Sequence, residues 1–318
     1  MSLEKNINSL CHCKSSLLFS KKTNVIMMDP CEHLIHTICF KNLNSKYCPY
    51  CNTKIESIIK LNDYKKDPKL YQKCVDILTV TNTNNMLKIS YKNFIFNLHK
   101  LLTSGVECSL YKGYKKGHKI ASDFLKNANI KIKVSGLAKI QDGCKVFISN
   151  HTSYLDFLII FYVLKTGFAA GSFIKHNILT KKLIDIVPTF IIDKSKSTNA
   201  VKGMKTYVEK HKSICIFPEG TITHGATIAK FRTGAFHIGY PIYAIILKYK
   251  NYMVDTSMLN FILKTHSENI EYVDFTIIGP FYPPFTDQKI ELIRLKMADV
   301  GNLLVSRVSN RDEIGKIR

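Results

Sequence analysis

Acidic residues are scarce in this chain of 318 residues: Asp and Glu number 24 against 46 Lys and Arg, for a formal net charge of +22. Tryptophan is missing altogether. No uninterrupted apolar run reaches the roughly 18–20 residues of a membrane span, because Lys165 cuts the longest candidate, and no apolar signal segment opens the chain. These absences exclude a helical membrane-spanning protein and point to a cytoplasmic one, peripheral to membranes. Basic and aromatic residues do not interleave in repeats, which weighs against nucleic acid as the partner of the positive charge. An anionic membrane surface or phosphate-bearing substrates remain. A chain rich in Lys, Asn and Ile also gains charge from composition alone. A disulfide framework is missing too: six of the ten cysteines fall in the first 51 residues at metal-ligand spacing, and Cys74, Cys108, Cys144 and Cys215 are scattered. The expected compartment is therefore reducing.

The remaining composition, 46% hydrophobic, supports a buried core of ordinary size plus a small second unit. The expected organisation is a metal-bound module over 1–60, a helix and polar linker over 61–85, an amphipathic helical segment over 86–129, and an α/β domain over 130–318.

In the first unit Cys11, Cys13, Cys31, His33, His36, Cys39, Cys48 and Cys51 supply eight ligands, enough for two tetrahedral zinc ions. So short a segment buries little core, and bound metal would supply its folding free energy. The run C-x-H-x-x-H-x-x-C followed by CPYC resembles a RING finger with histidine at the fifth ligand position. That resemblance implies interleaved sites, with Cys11, Cys13, His36 and Cys39 on one zinc and Cys31, His33, Cys48 and Cys51 on the other. It also implies a protein partner, such as a ubiquitin-conjugating enzyme. Two features depart from the pattern: the first knuckle is C-x-C, with His12 as a substitute ligand, and Asn52 stands where active ligases often carry arginine. There is also no tryptophan for the partner groove.

Between the units, LYQKCVDIL (70–78) has helical spacing and TNTNN (81–85) is a polar break. From Met86, Leu87, Tyr91, Phe94, Ile95, Leu98, Leu101 and Leu102 share one helical face, suited to an anionic membrane interface or to packing on a core. YKGYKKGHK (111–119) reads as a solvated basic loop.

From Ile130 onward strand and helix patterns alternate, which implies a central sheet flanked by helices with sites at strand ends. The focal stretch is FISNHTSYLDFLII (147–160), read as strand, tight turn and helix. His151 and Asp156 are five residues apart, about 500° around an ideal helix, so both cannot lie on one helical face. His151 therefore precedes the helix. Ser153 and Asp156 form an S-x-x-D capping box, and side chains of a first turn lean backward, so the carboxylate can reach the imidazole. An imidazole held by a carboxylate can take a proton from a hydroxyl.

NHTSYLD resembles the first motif of the glycerolipid acyltransferase family, and FIIDKS, IFPEGT, KFRTGAF and PIYAII follow in that family's order. The resemblance implies a mixed central sheet flanked by helices and transfer of an acyl group from acyl-CoA to a glycerol phosphate or lysophospholipid acceptor. His151 and Asp156 would be catalytic, and Glu219, Gly220, Thr221, Lys194, Lys230 and Arg232 would bind substrate. For Glu219, tying its own loop together is an equal alternative. Ile222 and Thr223 stand where the best-known version of the third motif has Arg-Ser. The rival function is a ubiquitin ligase or zinc-dependent adaptor whose larger domain only binds lipid.

Overall fold

The computed structural model describes residues 25–31, 33–60, 72, 75–76, 79, 114–127, 129–172, 187–192, 200–250 and 272–309. The segments 86–102 and 81–85 and Lys194, all singled out above, lie outside these residues.

The first unit is a small three-stranded sheet: β1 (Val25–Asp29) lies between β2 (His33–His36) and β3 (Ser57–Lys60), antiparallel to both. Helix α1 (Thr37–Leu43) follows β2 directly. Among the described residues its buried core is Ile26, Met28 and Ile35 with the sulfur atoms of Cys31 and Cys48, and Phe40, Leu43, Tyr50 and Ile55 pack against it, a small apolar surface for a fold.

The larger unit is built on seven strands in the order β4-β11-β10-β5-β8-β6-β7. These are β4 (Lys131–Ser135), β5 (Lys145–Ser149), β6 (Gly167–Gly171), β7 (Thr189–Ile192), β8 (Ser213–Ile216), β10 (Ile242–Tyr249) and β11 (Tyr272–Phe281). All neighbours run parallel except β10 and β11, so the sheet is mixed. Strand β10 shows why the sheet is covered twice. Tyr243, Ile245, Leu247 and Tyr249 enter one core and Ile242, Ala244 and Ile246 the other, the alternation a pleated strand imposes. Helices α2 (Tyr114–Asn127) and α3 (Leu155–Leu164) cover the first face; α4 (Ala200–His211) and α5 (Asp287–Gly301) cover the second. Helix α3, LDFLIIFYVL, is apolar on nearly every side because it is sandwiched between the sheet and α2.

One sequence expectation changes. The basic stretch 111–119 is not a loop throughout, since residues from Tyr114 onward are helical. Gly117, Ala121 and Leu125 form its buried face, and His118 stacks on Tyr162 of α3. The segment around Gly234 is a 3-10 turn, Thr233–His237. The C-terminal helix ends at Gly301 with Asn302 left-handed, and the chain then forms β12 (Leu304–Val305), parallel to β9 (Thr227–Ile228).

Strands β5 and β8 are parallel neighbours with Ile148 opposite Ile216. The loops leaving their carboxyl ends, at 150–154 and 217–229, therefore emerge side by side, the usual place for a site in a sheet of this kind.

Candidate active site

Strand β5 stops at Ser149, and the Asn150 side chain takes over its pairing. The Leu247 N–H donates to Asn150 Oδ1 at 2.8 Å, and Asn150 Nδ2 donates to the Leu247 carbonyl at 2.9 Å. This two-point clamp fixes where the turn begins. His151 follows with its side chain 13% exposed, and its Nδ1 lies 2.8 Å from Asp156 Oδ2. The same oxygen accepts from the backbone N–H groups of Thr152 (2.7 Å) and Ser153 (3.0 Å), and Oδ1 accepts from the Tyr249 hydroxyl at 2.5 Å. Ser153 Oγ accepts from Leu155 N–H at 3.0 Å, and the backbone is already helical at Tyr154. With Nδ1–H committed to a carboxylate, the neutral imidazole carries its lone pair on Nε2, the atom able to accept a proton.

The imidazole ring stacks on Phe217, 4.0 Å between centroids, with Phe157 at 6.2 Å. Phe217 in turn stacks on Phe168. One wall of the site is thus aromatic.

The backbone of His151 is clamped by the neighbouring loop. Its N–H donates to Glu219 Oε1 at 2.9 Å, and its carbonyl accepts from Thr223 N–H at 2.8 Å. Glu219 Oε2 accepts from Ala229 N–H at 2.8 Å and from the Thr223 hydroxyl at 2.9 Å. Of the two readings of Glu219 the structure favours the second: the carboxylate is fully buried, takes three donors and braces both loops, so it does not stand open to a substrate hydroxyl. Gly220 adopts φ +73, which glycine tolerates best, and its N–H donates back to Phe217 O at 3.0 Å. Thr221 and Ile222 are buried. Ile222 places an apolar chain where the family's best-known version has arginine. Lys230 and Arg232 are exposed. Arg232 N–H fastens to Pro218 O at 2.8 Å and Lys230 N–H to Val308 O at 2.9 Å.

Burial pushes the Glu219 carboxyl up to about 7 from its ordinary 4.5, against the pull of the donors from Ala229, His151 and Thr223. The folded chain then holds a proton that the unfolded chain has lost between those two values. Stability is greatest below pH 4.5 and falls as pH rises through 7, by about 3 kcal/mol in total from this group. Glu219→Gln should flatten that dependence, read as urea midpoints at pH 5 and pH 8. It should also cost about 1–3 kcal/mol at pH 5, because an amide cannot accept from both loops. A midpoint that keeps the wild-type pH dependence would show that Glu219 is not its source.

In the small module Cys31, His33, Cys48 and Cys51 bring one ligand atom each to within 4.8 Å of one another. His33 stacks on Tyr50, and burial lowers its basicity, favouring the neutral ring that ligates metal. Burial pushes the Cys48 thiol up to about 12, against hydrogen bonds from Tyr50 and Cys51; a bound cation would reverse that. Two thiols, an imidazole and a third thiol at this spacing fit a tetrahedral zinc. His36 Nδ1 and Cys39 Sγ lie 4.0 Å apart. Their expected co-ligands Cys11 and Cys13 lie outside the described residues.

Residues 131–248 match the family model described as Acyltransferase, and residues 13–60 match Prokaryotic RING finger family 4. The chain is 27% identical over 176 residues to lysophospholipid acyltransferase LPEAT2 of Arabidopsis thaliana, covering 52% of this chain and 32% of that protein. It is 27% identical over 186 residues to LPEAT1 of the same plant, covering 52% and 47%. It is 28% identical over 190 residues to the chloroplastic 1-acyl-sn-glycerol-3-phosphate acyltransferase BAT2 of Brassica napus, covering 55% and 52%. The matched regions thus span between a third and about half of these relatives. Among solved structures, the 1-acyl-sn-glycerophosphate acyltransferase PlsC of Thermotoga maritima aligns with TM-score 0.44 at 13% identity, over 66% of this chain and 93% of that one. Most of the seven-stranded unit is thus similar to the acyltransferase family, and the segment before it is similar to a RING-type finger.

Sequence reasoning gave no role in the site to Asn150, Phe217, Thr223 or Tyr249. Asn150 and Phe217 sit inside marked motifs, and Thr223 lies just beyond one.

Proposed function

We propose that this protein transfers a fatty acyl group from acyl-CoA to a free hydroxyl of a glycerol phosphate or lysophospholipid. The observation that carries the reading is the His151–Asp156 pair, 2.8 Å apart at the carboxyl end of β5. His151 Nε2 accepts the acceptor's hydroxyl proton as its oxygen attacks the thioester carbonyl carbon. The tetrahedral intermediate collapses with loss of the coenzyme A thiolate, which takes the proton from the imidazolium. Asp156 holds the ring and balances its transient charge. No acyl-enzyme enters the scheme: Ser153 Oγ is engaged by Leu155, and Cys215 is fully buried, which holds its thiol well above the ordinary range. Lys230 and Arg232, with Lys194, are the proposed phosphate contacts, and the aromatic wall of Phe157, Phe168 and Phe217 suits an acyl chain.

Among the described residues no helix is long and apolar enough to cross a membrane. The protein would meet its lipid acceptor by peripheral contact of its basic surface with an anionic bilayer. The test is transfer from labelled acyl-CoA to glycerol-3-phosphate, lysophosphatidate and lysophosphatidylcholine, with Asp156→Asn alongside. A labelled product falling at least about a hundredfold in the variant is expected. Failure of every acceptor with folded, zinc-loaded protein overturns the reading.

The zinc module supports a second, additional reading as a protein-docking unit. Autoubiquitination with purified conjugating enzymes, lost in Cys48→Ser, would make it a ligase. Its absence would leave docking alone.

A further inference from the structure

Asp156 is fully buried, and its two oxygens are used unequally. Oδ2 receives His151 Nδ1 and two backbone N–H groups, all from its own turn. Oδ1 receives one donor, and that donor comes from the opposite wall: the hydroxyl of Tyr249, the last residue of β10. The tyrosine ring is 5% exposed and packs in the core with Leu247 and Val273, so the hydroxyl is held by a rigid strand. Two residues earlier the same strand is clamped by Asn150. Strand β10 therefore grips the turn twice, once by its backbone and once through the carboxylate.

We propose that Tyr249 is a positioning residue for the His151–Asp156 pair, fixing the rotation of the Asp156 carboxylate and setting how strongly it attracts the proton on His151 Nδ1. Without the hydroxyl, Oδ1 is a buried acceptor with nothing to accept from. The carboxylate would turn to share its backbone donors between both oxygens, and Oδ2 would leave its line to the imidazole. Other ionisable groups face this pair from β8 and the loop after it. Cys215 and Glu219 both sense Asp156 through charge, yet neither hydrogen-bonds to its side chain. Among the described residues no lysine or arginine forms an ion pair with Asp156. Tyr249→Phe removes one donor and leaves the rest in place.

The kinetic half of the test rests on the acyl-transfer reading above; the titration half does not. In full-length Tyr249→Phe, kcat is expected to fall about tenfold with KM for the acceptor unchanged. The acidic limb of kcat/KM and the His151 imidazole signals, followed by NMR across the same pH range, are both expected to differ from those of the unmodified chain. In an Asp156→Asn background, Tyr249→Phe should cost no further activity. A lowered melting temperature with the His151 titration unmoved would make Tyr249 a structural strut and overturn the proposal, as would unchanged titration and kcat. A shifted titration in a protein that transfers no acyl group would sustain the positioning role while removing the proposed function.

Discussion

His151→Ala should lower acyl transfer by about 10²–10⁴-fold while the domain stays folded. The contacts through which residue 151 holds the fold are made by its backbone: the N–H to Glu219 Oε1 and the carbonyl to Thr223 N–H. Alanine keeps both. What it loses is the ring, 13% exposed and stacked on Phe217, together with the Nδ1 bond to Asp156. Asp156 then retains Thr152 N–H, Ser153 N–H and the Tyr249 hydroxyl, so no buried charge is left bare. The expected stability cost is therefore about 1–2 kcal/mol, small beside the lost turnover. Asp156→Asn is the less clean experiment, since an amide would turn N–H groups toward backbone donors in a fully buried place. Turnover under saturating substrate, set against a thermal melt of the same preparation, separates the two effects. Near-normal turnover in His151→Ala would remove the proposed mechanism.

The parts of this site legible in the sequence are those fixed by local geometry. That His151 precedes the helix and that Asp156 leans back toward it follow from helical pitch over five residues, and the structure brings the pair to 2.8 Å. The alternating strands were legible because each apolar run is closed by a turn. What escaped depends on which strands become neighbours. Asn150 is 97 residues from Leu247, Tyr249 is 93 from Asp156, and Thr223 is 72 from His151. For Tyr249 one signal existed. It closes an alternating strand on the same face as Leu247, and a buried tyrosine hydroxyl normally finds a partner. Glu219 could be read either as a substrate contact or as a brace, and only the proximity of β5 to β8 decides it. Helix α2 was hidden by its lysines and glycines, because a Gly117, Ala121, Leu125 face declares itself only when α3 is there to pack against it.

Removing zinc should unfold the first module and leave the larger domain intact. Among the described residues the module's fully buried aliphatic side chains are Ile26, Met28 and Ile35, with Phe40, Leu43, Tyr50 and Ile55 packed beside them, whereas the cluster of Cys31, His33, Cys48 and Cys51 ties the β1–β2 turn to the CPYC turn. Apparent binding free energies of structural zinc sites, about 10–16 kcal/mol at pH 7, exceed anything so small a core supplies. Release of two zinc ions per chain is therefore expected on thiol modification, read with a metal indicator. After chelation, protease should cut within residues 25–60 while the larger domain keeps its melting transition. Cys48→Ser should remove one zinc, because its sulfur is a buried member of the cluster, and the second ion would then report on His36 and Cys39 with Cys11 and Cys13. Lowering the pH should loosen the metal in the unmodified chain, since ligation requires Cys48 to give up a proton that burial makes it hold tightly. A metal-free protein that resists protease across the module would show that its fold rests on packing, and that the cysteine and histidine spacing has another origin.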